Sequence, residues 1–296
     1  MLARPSMEKN TKLIRLAHSP DPDDAFMFWA LAKDKFDYSP FRFEHILSDI
    51  QTLNERALEG QYEVTAISFY AFPYVSDKYA LLSSGCSMGD NYGPMIICPE
   101  KNLGKKLSEM KIAIPGKRTS AYLALQMYVS PQPPLLRGDT VGILNVSVET
   151  FDEIPRLVAE GKYDAGLIIH EGQLTYQKEG LSLYVDLGKW WFEKHQLPLP
   201  LGGNVVRRDL GEAAMKELSQ ILKKSIQMSL DHRAEAVEYA LQFGRGLDLN
   251  LADRFIGMYV NELTVDYGER GRKALEVFFA EAHEKGLVPK VDLKFV

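Results

Sequence analysis

The chain of 296 residues repeats one short pattern in its two halves. The segment ALEGQYEVTAIS (57–68) can be laid over VAEGKYDAGLII (158–169) without a gap. Each copy has the tail of an amphipathic helix, a glycine suited to the end of a helix, and a short apolar strand. The same helix-to-strand unit is therefore expected twice.

The repeat extends towards the N-terminus of each half. KLIRLAHSPDPDDAF (12–26) and KIAIPGKRTSAYLAL (111–125) each indicate a strand, a loop that contains proline, and a helix. Strands that alternate with helices favour parallel sheets, and ligand-binding loops then follow the carboxyl ends of the strands. We predict an α/β protein of two lobes, each a mostly parallel sheet flanked by helices, with a ligand cleft between them.

The order of segments also predicts where the lobes divide. Residues 181–210 are rich in proline, glycine and aromatic residues and read as a return crossover, after which the pattern is helical. The first lobe is expected to comprise residues 1–96 and 203–296, and the second lobe residues 97–202.

Composition excludes several classes of function. The net charge of -5 leaves no basic surface for nucleic acid. Cys86 and Cys98 are too few for a disulfide framework or a CxxC metal site, so two reduced thiols are expected. The first twelve residues lack the apolar stretch of an export signal, and nothing later approaches the ~20 apolar residues of a membrane span. We expect a cytoplasmic protein without membrane insertion.

The loop HSPDPDDAFMFWAL (18–31) places three aspartates before a segment that is apolar on every side. Aspartate is a preferred N-cap, so the aspartates are expected to cap a buried helix over residues 25–34. The loop also follows a strand, where a cleft should open. His18, Ser19 and Asp24 are therefore candidates for hydrogen bonds to ligand hydroxyl groups.

The equivalent loop of the second half, PGKRTSAYL (115–123), has the opposite character. Arg118 stands beside Thr119 and Ser120 where a helix begins. Free backbone N–H groups, hydroxyls and the positive end of a helix dipole form an anion site. The alternative is that Thr119 or Ser120 only caps the helix. Together the two loops suit a ligand with hydroxyl groups at one end and a carboxylate at the other.

A single histidine follows the apolar strand of DAGLIIHE (164–171). By the repeat, His170 corresponds to Phe69, directly after Ser68, so Ser68 and His170 should face one ligand. An imidazole placed there can transfer protons near neutral pH, although a structural role is the alternative. No metal-ligand spacing, GxSxG motif or glycine-rich phosphate loop is present. The sequence thus favours metal-free acid–base chemistry without a cofactor.

These motifs, together with VDLGKWWFEKHQLPLPLGGNVVRRDLG (185–211), resemble the 1,4-dihydroxy-6-naphthoate synthases of the futalosine route to menaquinone. The resemblance spans nearly the whole chain after about residue 12. Members of that family look like type II periplasmic binding proteins that have become cytoplasmic enzymes.

The resemblance implies an activity and site residues. The family converts cyclic dehypoxanthinyl futalosine to 1,4-dihydroxy-6-naphthoate, with carbon–carbon cleavage and release of a small hydroxyketone. Its proposed base maps to His170, its serine to Ser68, and its hydroxyl pair to Thr119 and Ser120. Some members have SPCPND where this chain has SPDPDD.

Other functions share the same fold. A solute-binding protein or ligand sensor would have the same cleft without chemistry, because fold alone does not define function. Chorismate dehydratase of the same pathway is a second alternative, and the motif GLIIHE favours the synthase. An interaction scaffold has little support, because no heptad or low-complexity segment is visible.

Overall fold

The computed structural model describes residues 11–130, 144–244 and 246–296. Its strands, in chain order, are β1 (Lys12–His18), β2 (Phe41–Leu47), β3 (Val64–Ser68), β4 (Tyr79–Leu81), β5 (Ser87–Gly89), β6 (Met95–Cys98), β7 (Lys111–Ile114), β8 (Asn145–Val148), β9 (Ala165–Ile168), β10 (Ser182–Asp186) and β11 (Leu199–Arg207). Its helices are α1 (Pro22–Met27), α2 (Trp29–Ala32), α3 (Ile50–Leu58), α4 (Ser120–Val129), α5 (Ile154–Ala159), α6 (Gly172–Thr175), α7 (Leu187–His195), α8 (Glu212–Asp231), α9 (Arg233–Ala240), α10 (Leu249–Tyr259), α11 (Glu262–Val265) and α12 (Gly268–Glu284).

The strands form two sheets with the same plan. The first sheet has the order β2-β1-β3-β11-β4, and β5 also pairs with β11. The second has the order β8-β7-β9-β6-β10. In each sheet one strand runs against the rest: β11 pairs antiparallel with β3 and β4, and β6 with β9 and β10. The predicted α/β fold with two mostly parallel sheets is confirmed.

Strand register agrees with the repeat read from the sequence. In the first sheet Leu16 lies opposite Val64, and in the second Ile112 lies opposite Ala165. Counting five residues on from Val64 and from Ala165 gives Phe69 and His170, the pair that the repeat aligned. Both helix-ending glycines also have left-handed φ values, 69° at Gly60 and 76° at Gly161. The two halves are therefore equivalent in three dimensions as well as in sequence.

The predicted division near residues 97 and 203 stays a proposal. Both positions fall inside the antiparallel strands, β6 and β11, by which the chain enters the second sheet and returns to the first. The connection between α7 and β11 is short, and it is bridged by Trp191, which is fully buried and donates from Nε1 to the carbonyl oxygen of Pro198 at 3.1 Å.

The apolar segment after the aspartates is buried, as predicted, but its helix is not continuous. It forms α1 and α2, which begin at Pro22 and end at Ala32, with Phe28 between them. Residues 25–31 are at most 3% exposed and pack against α8, α9 and α10.

The described Cys86 and Cys98 are buried free thiols. Over the described ranges, the helices are all too short or too polar to cross a membrane.

The carboxylate of Glu63, directly before β3, connects this strand to β1 and β11. Glu63 accepts hydrogen bonds from the backbone N–H, Nε and Nη2 of Arg15 at 3.0, 2.8 and 2.7 Å, and Nη1 of Arg207 lies 3.2 Å away. Burial raises the pKa of Glu63, but the bonds from Arg15 outweigh it and hold that pKa below its ordinary value. In the second sheet Asp164 accepts from the backbone N–H of Lys111 in the same way.

Replacement of this carboxylate should destabilise the fold. Glu63→Gln is expected to lower the free energy of unfolding by about 1–2 kcal/mol after allowance for solvent screening, because the amide loses one acceptor and the charge that Arg15 and Arg207 face. Chemical denaturation measures the change. Glu160→Gln is the matched control, since Glu160 pairs with Arg156 and Lys162 on the surface. Equal midpoints for the two variants would contradict the assignment.

Candidate active site

The carboxyl ends of the parallel strands of both sheets meet at one cleft. The cleft encloses about 770 Å³ up to its open mouth. Six of the predicted site residues line it, namely Ser19, Asp24, Ser68, Thr119, Ser120 and His170, whereas His18 and Arg118 do not. Their placement follows from the direction of the strands, because loops after β1, β3, β7 and β9 emerge on the same side.

His170 lies on the floor of the cleft and makes an ion pair with the opposite wall. Its Nδ1 atom lies 3.0 Å from Oδ2 of Asp21, and its side chain is 14% exposed. Its Nε2 atom is buried and has no hydrogen-bond partner among the described residues. The ring packs on Phe151, with centroids 4.2 Å apart. The backbone has a φ of 65°, a left-handed value that is uncommon for a residue other than glycine.

The surroundings of His170 set its protonation. Burial lowers the pKa of the imidazole, but the charge of Asp21, its hydrogen bond, and the charges of Glu171 and Asp23 outweigh burial and raise the pKa above 6.5. The lining residues of the cleft include no lysine or arginine within the described ranges. His170 is thus the one side chain there, among the described residues, that gains a positive charge near neutral pH.

The aspartate loop has a different role from the capping that the sequence predicted. Asp21 occupies the N-cap position of α1, but its side chain makes no capping hydrogen bond and instead faces His170. Asp24 accepts from the backbone N–H of Ser19 at 2.7 Å, which fixes the loop. Burial raises the pKa of Asp24 to about 6. Burial and the neighbouring carboxylates raise the pKa of Asp23 well above its ordinary value. The expectation that the aspartates cap the helix is wrong for Asp21.

His18, another candidate from this loop, lies in the interior of the fold rather than in the cleft. Its Nδ1 atom is 2.9 Å from the carbonyl oxygen of Ser19, and its Nε2 atom is 3.1 Å from Nδ1 of His45. Its ring packs against Phe28. Burial lowers the pKa of His18 to about 3, so the ring is neutral near pH 7. The prediction that His18 offers hydrogen bonds to a ligand is therefore wrong.

The hydroxyl pair lies at the start of α4. Thr119 caps this helix by accepting from the backbone N–H of Tyr122 at 3.3 Å, and its contact with a ligand stays a prediction. The Oγ of Ser120 accepts from the backbone N–H of Tyr70 at 3.2 Å, a contact between the two halves. Ala121 also lines the cleft, so the first turn of α4 faces the ligand space. This geometry suits an anion, because N–H groups of a first helical turn have no carbonyl partner.

Arg118 lies away from the cleft. Its guanidinium stacks over the ring of Tyr74, with Cζ 5.5 Å from the ring centroid. Its backbone N–H donates to Oε1 of Gln51 at 3.2 Å. The structure thus uses Arg118 to hold the loop against α3, and its predicted contact with substrate stays a prediction.

Ser68 is held by a residue that the sequence analysis missed. Asn54, on α3, is fully buried and donates from Nδ2 to Oγ of Ser68 at 3.0 Å and to the carbonyl oxygen of Arg118 at 3.2 Å. Its Oδ1 accepts from the backbone N–H of Ser68 at 2.8 Å. The signal was present, because Asn54 lies one helical turn after Ile50 on the apolar face of α3.

A second pair that was missed closes the far side of the cleft. Gln173, on α6, accepts from the hydroxyl of Tyr259 at 2.7 Å and donates to the carbonyl oxygen of Gly93 at 2.9 Å. Tyr259 belongs to α10, far away in sequence. Burial raises the pKa of Tyr259 above its ordinary value, so it remains a hydroxyl. No pattern in the sequence joins these two residues.

One group of side chains in the described part of the chain has ligand atoms close enough for a cation. Asp21, His170 and Glu171 each place one such atom within 4.8 Å of the others. The 3.0 Å separation of Nδ1 and Oδ2 is a hydrogen-bond distance, and we describe the pair as an ion pair. The expected absence of a metal stays a prediction.

Comparison with solved structures defines the class of protein. A Candida albicans protein described as exhibiting the generic periplasmic binding protein structural fold superposes with a TM-score of 0.62 at 10% identity, over 96% of this chain and 98% of that one. At this identity the likeness concerns the fold alone. The two sheets and their shared cleft give the chain a two-lobed, periplasmic-binding-protein-like fold.

Closer relatives define the family. The family described as Menaquinone biosynthesis matches residues 14–284. The chain is 38% identical over 274 residues to a 1,4-dihydroxy-6-naphthoate synthase of Thermus thermophilus, and 34% identical over 278 residues to one of Streptomyces coelicolor. Each alignment covers 93% of this chain and 95% of the relative. A solved structure from Archaeoglobus fulgidus has a TM-score of 0.84 at 40% identity, over 96% of this chain and 100% of that one. The chain belongs to this menaquinone biosynthesis family, so it is an enzyme with a role in menaquinone biosynthesis.

His18, in the first half, and His170, in the second half, should titrate differently. In an NMR titration from about pH 5 to about pH 9, His18 is expected to show no protonation step, because burial keeps it neutral. His170 is expected to show a step above 6.5, because the nearby carboxylates favour its charged form. A midpoint for His170 below that of a free imidazole would contradict the electrostatics described for the cleft.

Proposed function

We propose that the protein is a 1,4-dihydroxy-6-naphthoate synthase that converts cyclic dehypoxanthinyl futalosine to 1,4-dihydroxy-6-naphthoate. The reaction would be a carbon–carbon cleavage followed by aromatisation, which makes the enzyme a lyase. It needs proton transfers only, so no metal or cofactor is part of the proposal. A small-molecule substrate is the proposed partner, and the cytoplasm the proposed location.

One observation supports the chemistry above the others. The Nε2 atom of His170 is buried, has no partner among the described residues, and belongs to a ring that lines the cleft. A buried polar atom without a partner costs free energy unless a ligand satisfies it. His170 is therefore proposed as the base that removes a proton from the sugar portion of the substrate.

The rest of the cleft suits the two ends of that substrate. The first turn of α4, with Thr119 and Ser120, would bind the aromatic carboxylate through N–H groups and hydroxyls. The Oγ of Ser68, which Asn54 fixes, and the wall of Ser19 and Asp24 would meet the sugar hydroxyls. The acidic residues on the wall of Ser19 and Asp24 disfavour an anion there, so the substrate would bind in one orientation.

The base must be neutral to accept a proton, and the carboxylates around His170 raise the pKa at which it becomes neutral. A general base is most effective when its pKa lies near the working pH, and His170 has a raised pKa for the reason given above. Once the proton has moved, Asp21 faces an imidazolium at hydrogen-bond distance. The charge that forms on His170 is therefore stabilised where it arises.

Direct turnover tests the proposal. The purified protein, incubated with cyclic dehypoxanthinyl futalosine, is expected to produce the absorbance of the naphthoate product, and chorismate in a parallel reaction is expected to remain unchanged. The geometry predicts this because an open anion site and a free base are present in one cleft. Binding of the futalosine derivative without turnover would favour a solute-binding protein, and dehydration of chorismate would favour the dehydratase.

Loss of the base should remove most of the rate. His170→Ala is expected to lower kcat for naphthoate formation by about 10²–10⁴-fold, which is what a positioned base contributes. His195→Ala serves as the control, because His195 pairs with Glu281 outside the cleft. Turnover of His170→Ala near the wild-type rate would remove His170 from the mechanism.

A further inference from the structure

The ion pair of the cleft joins the two sheets. Asp21 follows β1 of the first sheet, and His170 follows β9 of the second. Their Oδ2 and Nδ1 atoms lie 3.0 Å apart, and the side chain of Asp21 is only 3% exposed. The two residues are far apart in the sequence, so only the meeting of the two sheets brings them together.

We infer that Asp21 is the positioning residue of His170: its carboxylate keeps a proton on Nδ1, so that the Nε2 lone pair is the one presented to the substrate. This inference rests on the proposed role of His170 as the base. A neutral imidazole carries one proton on either nitrogen, and the hydrogen bond made by one nitrogen selects the tautomer. Since Asp21 accepts at Nδ1, the proton is held there and Nε2 remains the acceptor.

The packing around the ring supports this assignment. The ring of Phe151 packs against the imidazole at an interplanar angle of 56°, with centroids 4.2 Å apart, which limits rotation of the imidazole. Nε2 is buried and has no partner in the described parts of the chain, so nothing there competes for its lone pair. Because Asp21 comes from the opposite sheet, the base is correctly oriented only while the two halves are together. Orientation of the base is in this way linked to closure of the cleft.

The charges that face His170 decide how it responds to loss of Asp21. Asp21, Asp23 and Asp24 face it from the loop and first turn of α1, and Glu171 adjoins it at the start of α6. From α10, the hydroxyl of Tyr259 is bonded to Gln173 and remains neutral. Without the charge of Asp21, the imidazole of His170 is still buried, and burial lowers its pKa. His170 should then lose its proton at a lower pH.

The pH dependence of turnover separates positioning from mere support of the fold. In the wild type, kcat is expected to rise with pH as the imidazolium loses its proton. In Asp21→Asn this acid limb is expected to move to lower pH, while the maximal kcat falls on the order of 10²-fold, since the ring is no longer held in register. Asp21→Glu, which keeps the carboxylate, should return the limb towards that of the wild type. Asp209→Asn, a change at an exposed carboxylate, is the control.

A measurement on the unaltered protein keeps the inference testable if Asp21→Asn does not fold. Nitrogen-15 NMR of the wild type above the midpoint of His170 is expected to show the tautomer with hydrogen on Nδ1. The tautomer with hydrogen on Nε2, or an acid limb that is unmoved in Asp21→Asn, would overturn the inference. If the wild type makes no naphthoate, the proposed function fails, and the tautomer still tests the contact between Asp21 and His170.

Discussion

Two sheets meet with the carboxyl ends of their parallel strands facing one cleft, and the contacts of Asp21 with His170 and of Ser120 with Tyr70 depend on that meeting. The strand order is the same in both sheets, so loops of equivalent origin lie on opposite walls. Duplication alone would give two similar walls. The chain instead carries carboxylates after β1 and hydroxyls with a helix terminus after β7. The resulting asymmetry places unlike groups on the two walls of the cleft.

The cleft balances buried charge with few groups. Carboxylates in low-dielectric surroundings repel one another, and burial raises the pKa of Asp23 and of Asp24. Among the described residues that line the cleft, His170 is the one imidazole that faces these carboxylates, and their charges raise its pKa. The same interaction therefore offsets the charge of the acidic wall and raises the pKa of His170 above its ordinary value. The pair formed by Asp21 and His170 thus bears both on the stability of the cleft and on the proposed chemistry.

The fold was predictable from the sequence because its signals are local. Helix-ending glycines, alternating strands and helices, and the alignment of Phe69 with His170 are all read from neighbouring residues, and strand register agrees with them. The candidate site was predictable only in part. Its hydroxyls and histidine follow strands, so their convergence on one cleft follows from strand direction. Their roles remain proposals.

The partners of the site residues were not predictable, because they come from distant segments. The contact of Asp21 with His170, and that of Tyr259 with Gln173, exist only once the sheets and the C-terminal helices have assembled. Asn54 could be noticed in the sequence as a polar residue on an apolar helix face, but no local pattern indicated that it bonds to Ser68. For Arg118 the charge suggested a ligand contact, which stays a prediction, while the structure shows its side chain stacked on Tyr74.

The left-handed backbone of His170 has a consequence for engineering. At a φ of 65° a glycine or an asparagine is accommodated at less conformational cost than a histidine. Replacement of this imidazole by glycine would relieve the backbone, but it would also remove the ion-pair partner that faces the buried carboxylate of Asp21. An engineer who changes residue 170 therefore trades a gain in backbone freedom against the loss of a buried charge partner, and a paired change at Asp21 would be needed to separate the two effects.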